Sequence, residues 1–223
     1  VKFEDYLRPT QFIDSDAPTV IEFARFTVGD AGTDIEKGVR LYYAVRDSVR
    51  YDPYAIEADP DTFKASWVLA ARVGFCVQKA ILLAAVARAV EIPSRLGFAD
   101  VRNHLTTQRL RKLMGTDVFA FHGYTELYLD GQWVKATPAF NRALCERFKV
   151  LPLEFDGKSD SVFHPFDAEG RRHMEYLRDH GHFADFPLER MVRAFKEHYA
   201  HLFQEDGGYW PRGDFEQEAL TDG

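Results

Sequence analysis

Between Val77 and Val90 the chain reads VQKAILLAAVARAV, apolar around nearly its whole circumference. A helix of this composition has no side to offer to water, so it must lie at the centre of a fold with other elements packed round it. The run falls short of the ~18 apolar residues a membrane span needs, and no other window reaches that length. Immediately before it stand Gly74, Phe75 and Cys76, and Pro93 closes it. Everything else in the sequence has to be arranged to cover this segment.

Helices come first. APTVIEFARFTV places Val20, Ile21, Phe23, Ala24 and Val28 at helical spacing, with Ser15 or Asp16 as cap. Thr33 and Glu36 form a capping-box pair ahead of a helix of about four turns marked by Ile35, Val39, Leu41, Tyr42, Val45 and Val49. DPYAIEADPD reads as loop, and TFKASWVLAAR as a short helix ending at Val73-Gly74. Strands follow Pro93: SRLGFADV, then, after a polar helix near 105–113, a hairpin VFAFHGYTELYLDGQWVKATPAF turning at Asp130-Gly131. NRALCERF and a segment around 188–202 return to helix. This order predicts an α+β fold with the buried helix packed on an antiparallel sheet, and one domain over 1–223. Its core falls at about 62–138, with N-terminal helices in 1–50 and an extension from 139. The stretch Val150–Pro187, with Glu154, Asp156, Asp160, Asp167 and Glu169, is acidic and turn-rich, and is expected to fold over a cleft as a lid.

Net charge narrows the partners. With 28 Lys and Arg against 35 Asp and Glu, the chain carries about −7, against nucleic-acid or anionic-membrane binding. Its one basic cluster, Arg109, Arg111 and Lys112, reads as a solvated helix face. Cys76 and Cys145 are 69 positions apart and make no disulfide framework, which favours a reducing cytoplasm. VKFEDYLRPTQF lacks the pattern of a secretion signal, though the chain starts on Val. His173, His180 and His182 lack the paired spacing of a zinc site, so no metal and no cofactor are expected. His198 and His201 read as a solvated face.

Cys76 opens the buried helix, where unpaired N–H groups and the helix dipole favour a thiolate and could hold an oxyanion. A buried, inert cysteine is the simpler alternative. A reactive thiol needs a base, and His122 lies mid-strand in FAFHGYTELYL. Alternation groups Ala120, His122, Tyr124 and Glu126 on one face, expected to look toward the helix start, with Phe119, Phe121, Gly123, Thr125 and Leu127 on the other. Taken alone, His122 reads as a satisfied half-buried histidine.

Together GFCVQKAILLAAVARAVEIPSR and HGYTELYLDGQWVKATPAF resemble the core of the transglutaminase-like superfamily, bacterial type. Arg88-Ala89, Ile92-Pro93 and Arg95 match one element, with Glu91 where the family has glycine. His122, Glu126, Tyr128, Gly131 and Trp133 match the next. The resemblance implies a papain-like arrangement with Cys76 as nucleophile and His122 as base, acting on a peptide, protein or small amide substrate. It departs at Thr137, which stands where the family has a histidine-orienting aspartate. Thr137 or Asn141 is expected to fill that role. Trp67, Asp100 and Asn103 are candidates for lining the substrate cleft, although core packing or a polar loop explains them as well. The expectation is a cysteine-dependent hydrolase or acyltransferase, and the rival is a non-catalytic binding module whose triad has decayed. Oligomeric state is not readable.

Overall fold

The computed structural model describes residues 3–104, 106–162, 170, 174–203 and 213–221, of which 219–221 are described by backbone alone. Helix α1 (Pro18–Val28) starts at Ala17 without a side-chain cap, so the expected cap at Ser15 or Asp16 is not used. Pro18 at the first position replaces it, because a residue lacking an N–H leaves no donor there to satisfy. Helix α2 (Asp34–Ser48) does carry its capping box: Glu36 N donates to Thr33 Oγ1 (3.2 Å) and Thr33 N to Glu36 Oε2 (3.1 Å). Two-residue strands β1 (Arg50–Tyr51) and β2 (Val73–Gly74) pair in parallel on either side of a loop and α3 (Ala65–Ala71).

In α4 (Cys76–Arg88) every residue is buried. Val77, Ile81, Leu82, Leu83 and Val86 are fully covered, each worth about 1.5–3 kcal/mol of burial. Two cations lie in this apolar helix and close off carbonyls of other segments. Lys79 Nζ donates to the carbonyls of Arg46 (2.8 Å) and Val49 (2.5 Å) at the end of α2, and burial lowers its pKa to about 7. The Arg88 guanidinium binds the carbonyls of Arg8, Ser94 and Ala184. The helix stops in a Schellman turn, with Ile92 N on Ala87 O and Glu91 N on Arg88 O. Glu91 takes the left-handed position of that turn (φ 66°), where the resemblance implies a glycine.

An antiparallel sheet in the order β5-β4-β3-β6 lies against α4. Its members are β3 (Ser94–Asn103), then, beyond α5 (Gln108–Met114), β4 (Val118–Leu129), β5 (Gln132–Ala136) and, after α6 (Arg142–Phe148), β6 (Met174–Phe183). Asp130 (φ 47°) and Gly131 (φ 85°) make the expected tight turn between β4 and β5. Helix α7 (Leu188–His198) packs on β4, and α8 (Phe215–Thr221) sets Phe215 against Tyr51 and Phe148. The buried side chains form one continuous cluster from Phe12 to Phe215. Among the described residues, no helix is long and apolar enough to cross a membrane.

The stretch expected to fold as a lid is described only in part. Residues 150–162 are tied down: Tyr42 Oη and Arg46 Nη1 donate to the Leu153 carbonyl, and Ser161 bridges Ala136 of β5. Residues 174–183 form the edge strand β6, whose length and pairing the acidic composition concealed. Asp167, Glu169 and His173 fall outside the described residues.

Candidate active site

Three glycine and glutamine positions explain how Cys76 comes to begin α4. Gln78, fully buried, turns back so that its Oε1 accepts from Phe75 N (3.1 Å) while Nε2 donates to Thr62 O (2.9 Å). Gly74 makes room for this clasp, since a Cβ there would lie 3.1 Å from Gln78 Oε1. On the other side β4 presses its backbone onto the first turn. A Cβ on Gly123 would stand 2.9 Å from Val77 Cα, closer than real side chains approach. With that gap closed, the N–H groups of Gly123, Val77 and Cys76 itself all act on the Cys76 sulfur.

Electrostatically the site is dry. Burial pushes the Cys76 thiol up to about 11, and the three N–H groups pull the other way without prevailing. Burial pushes His122, the residue before Gly123, down to about 4. At neutral pH both groups are therefore uncharged at rest. Cys76 is 6% exposed and His122 4%. Tyr51 and Tyr199 lie within electrostatic reach of the sulfur, and a thiolate there would push both hydroxyls up.

Residues 122–127 of β4 alternate as expected, but the side that packs on α4 is the one opposite to the side expected. Gly123 meets α4, Thr125 Oγ1 donates to Ala80 O of α4 (2.8 Å), and Leu127 reaches Gly38 of α2. Tyr124 and Glu126 occupy the opposite face, where Tyr124 lies across Gly97 and Glu126 pairs with Arg95. A bulge just before His122 breaks the alternation on its N-terminal side only. The β3 register passes from Ala99↔His122 to Val101↔Phe119, so Ala120 and Phe121 together face Asp100. Phe121 takes φ 60° there. Tyr199 serves the groups that the bulge leaves over, its Oη accepting from Ala120 N (2.8 Å) and donating to Val118 O (2.9 Å).

The other sequence candidates divide. Thr137 is buried, with its N donating to Ser161 O, and its Oγ1 has no hydrogen bond among the described residues. Asn141 is buried too, and its Oδ1 accepts from Tyr51 N (3.0 Å), which ties it to the residue beside Cys76. Asp100 is turned inward at 4% exposure. Asn103 is buried at the far end of β3, four residues or about 13 Å along the strand from Ala99, the partner of His122. Trp67 packs half-buried on the edge of the core from α3. His198, read as solvated, has Nε2 3.9 Å from Asp100 Oδ2, and His201 Nε2 contacts Leu113 O (2.7 Å). Gln78, Gly123 and Tyr199 were not singled out by sequence. Only Gln78, at the third helical position, carried a local signal.

The Transglutaminase-like superfamily core model matches residues 21–138, more than half of the chain, and the chain belongs to that superfamily. Among solved structures it is similar to a protein described as a putative cysteine protease from Cytophaga hutchinsonii (19% identity, TM-score 0.48). That match covers 80% of this chain and 53% of the other. A second is described as a putative protease from Parabacteroides distasonis (18% identity, TM-score 0.39), covering 60% of this chain and 25% of that one. The chain thus spans about half the length of the first and a quarter of the second. No curated protein matches it.

Proposed function

We propose that the protein is a cysteine-dependent acyl-transfer enzyme acting on an amide or ester, with hydrolysis as the preferred outcome. What carries the reading is Cys76 at a helix start, where the N–H groups of Cys76, Val77 and Gly123, the residue after His122, each favour its thiolate. The sulfur attacks the carbonyl carbon as its proton passes to the His122 imidazole, and the carbonyl π pair moves to oxygen. Backbone N–H groups aimed at this spot stabilise that oxyanion. Collapse expels the amine or alcohol, which takes the proton from His122, and leaves a thioester. Water then releases the acid, or an amine takes the acyl group. Because burial disfavours the charged form of each group, proton transfer accompanies the attack instead of preceding it.

The test is acylation by 4-nitrophenyl acetate, followed by nitrophenolate release and mass spectrometry. Wild type should acetylate at Cys76 with turnover; Cys76→Ser should lose this, and His122→Ala should slow it by about 10²–10⁴-fold. Acetylation of native Cys76 no faster than that of a free thiol, and indifferent to His122, would overturn the proposal. The second reading, a non-catalytic binding module, is favoured by Thr137 at the carboxylate position and would then stand. Adding a labelled amine separates the two enzymes: its incorporation at the expense of acid release would replace the hydrolase with a transferase.

A further inference from the structure

Asp100 sits between two defects in the sheet. On one side is the β4 bulge at Ala120–Phe121, already described. On the other, β3 pairs Phe98 with Gly181 and Ala99 with Asp179, so His180 is an extra residue of β6 at that point. Both bulged residues converge on the same oxygen: Asp100 Oδ1 accepts from Phe121 N (2.9 Å) and lies 2.8 Å from His180 Nε2. The two rings also meet, with centroids 5.0 Å apart. Each bulge displaces a residue that regular pairing would have aimed elsewhere, and Asp100 is where the displaced groups are collected.

Phe121 explains why the arrangement matters. A bulky residue at φ 60° persists only where its surroundings hold it, and such outliers concentrate at functional sites. Here the N–H of the strained residue is gripped by a buried carboxylate, and the next residue along the chain is His122. We propose that Asp100 is a positioning residue, whose carboxylate fixes the bulged backbone on which His122 is mounted. This rests on the reading of His122 as the base for Cys76. It places the compensating carboxylate on the neighbouring strand in a chain that has threonine at position 137, and it acts through the backbone.

Two readouts on the full chain test it. The first is the imidazole NMR signals of His122, identified by their loss in His122→Ala; the second is the acetylation rate of Cys76. Asp100→Ala should broaden the His122 ring signals and slow acetylation by on the order of 10²-fold, the effect of a 1 Å misplacement. Asp100→Asn keeps an oxygen for the Phe121 N–H, and should leave the signals sharp and the rate within about threefold, well below that 10²-fold loss. Should Asp100→Ala not fold, His180→Ala on the edge strand should give the same broadening to a smaller degree. Sharp, unshifted His122 signals in a folded Asp100→Ala or His180→Ala protein would overturn the proposal. So would equal damage from Asp100→Asn and Asp100→Ala. An unreactive Cys76 in wild type would instead defeat the enzymatic reading, and the ring signals would still decide the role of Asp100.

Discussion

The two halves of β4 are built differently. From Gly123 to Leu129 the strand pairs in unbroken register with β3 and then β5, and its inward residues lock onto α4 and α2. From Val118 to His122 it is bulged, takes a left-handed residue, and has its spare backbone groups held by Tyr199 and Asp100. The regular half is set by side-chain alternation and a two-residue turn, both local properties. The irregular half exists because distant side chains satisfy what pairing leaves over. Cys76 lies at the seam, where the backbone N–H of Gly123, the first residue of the regular half, acts on its sulfur.

The strongest way to break the contrast is Phe121→Ala. It removes a ring stacked on Phe98 (centroids 4.4 Å) and leaves a non-glycine residue at φ 60°, so urea melts should show a loss of about 3–5 kcal/mol. Gly123→Ala attacks the regular half, forcing a Cβ against Val77 Cα. It should cost about 1–3 kcal/mol and also slow Cys76 acetylation, because the N–H over the sulfur must withdraw.

The seam itself should show in pH dependence. The folded His122 titrates near 4 and an unfolded one near 6.5, so between these values only the unfolded chain takes up the proton. Stability from this group is complete above 6.5 and is lost as pH falls toward 4, by on the order of 2–3 kcal/mol, and His122→Gln should remove that limb from the difference curve. For Cys76 the folded value near 11 lies above the unfolded 9.0, so its contribution is complete below 9 and lost as pH rises toward 11. Cys76→Ser should remove that one. Smaller still, Tyr199→Phe takes away the hydroxyl serving Ala120 N and Val118 O and should cost about 1–3 kcal/mol in thermal or urea melts. Finally, Glu91→Gly should stabilise by about 0.5–1 kcal/mol, because that left-handed position is exposed and loses no packing.

Much of the fold was legible where the signal is local. Thr33 and Glu36, Asp130-Gly131, the all-round apolar α4 and the alternating β3 and β4 each announce an element through neighbours a few positions away. The hidden parts depend on long separations. β6 was hidden by acidic and polar residues because an edge strand needs little apolar content, and α8 was not foreseen at all. The face of β4 that meets α4 was misread because alternation sorts residues into two faces without saying which one packs inward, and nothing in FAFHG announces the bulge at Ala120–Phe121. Asp100, read as a cleft residue, gave no hint that its partners would be Phe121 N and His180.

By itself, the sequence determined that a cysteine would open a helix with no solvent face, followed by a strand pair bearing a histidine. Those facts follow from composition and spacing within a few turns of chain. Only the tertiary structure decided that backbone N–H groups from two elements would converge on the sulfur, that both candidate groups would be dry and neutral, and that a carboxylate from the next strand would grip the bulge beside His122. Desolvation and the satisfaction of left-over backbone donors depend on what packs from outside the segment, and a linear pattern does not contain that information.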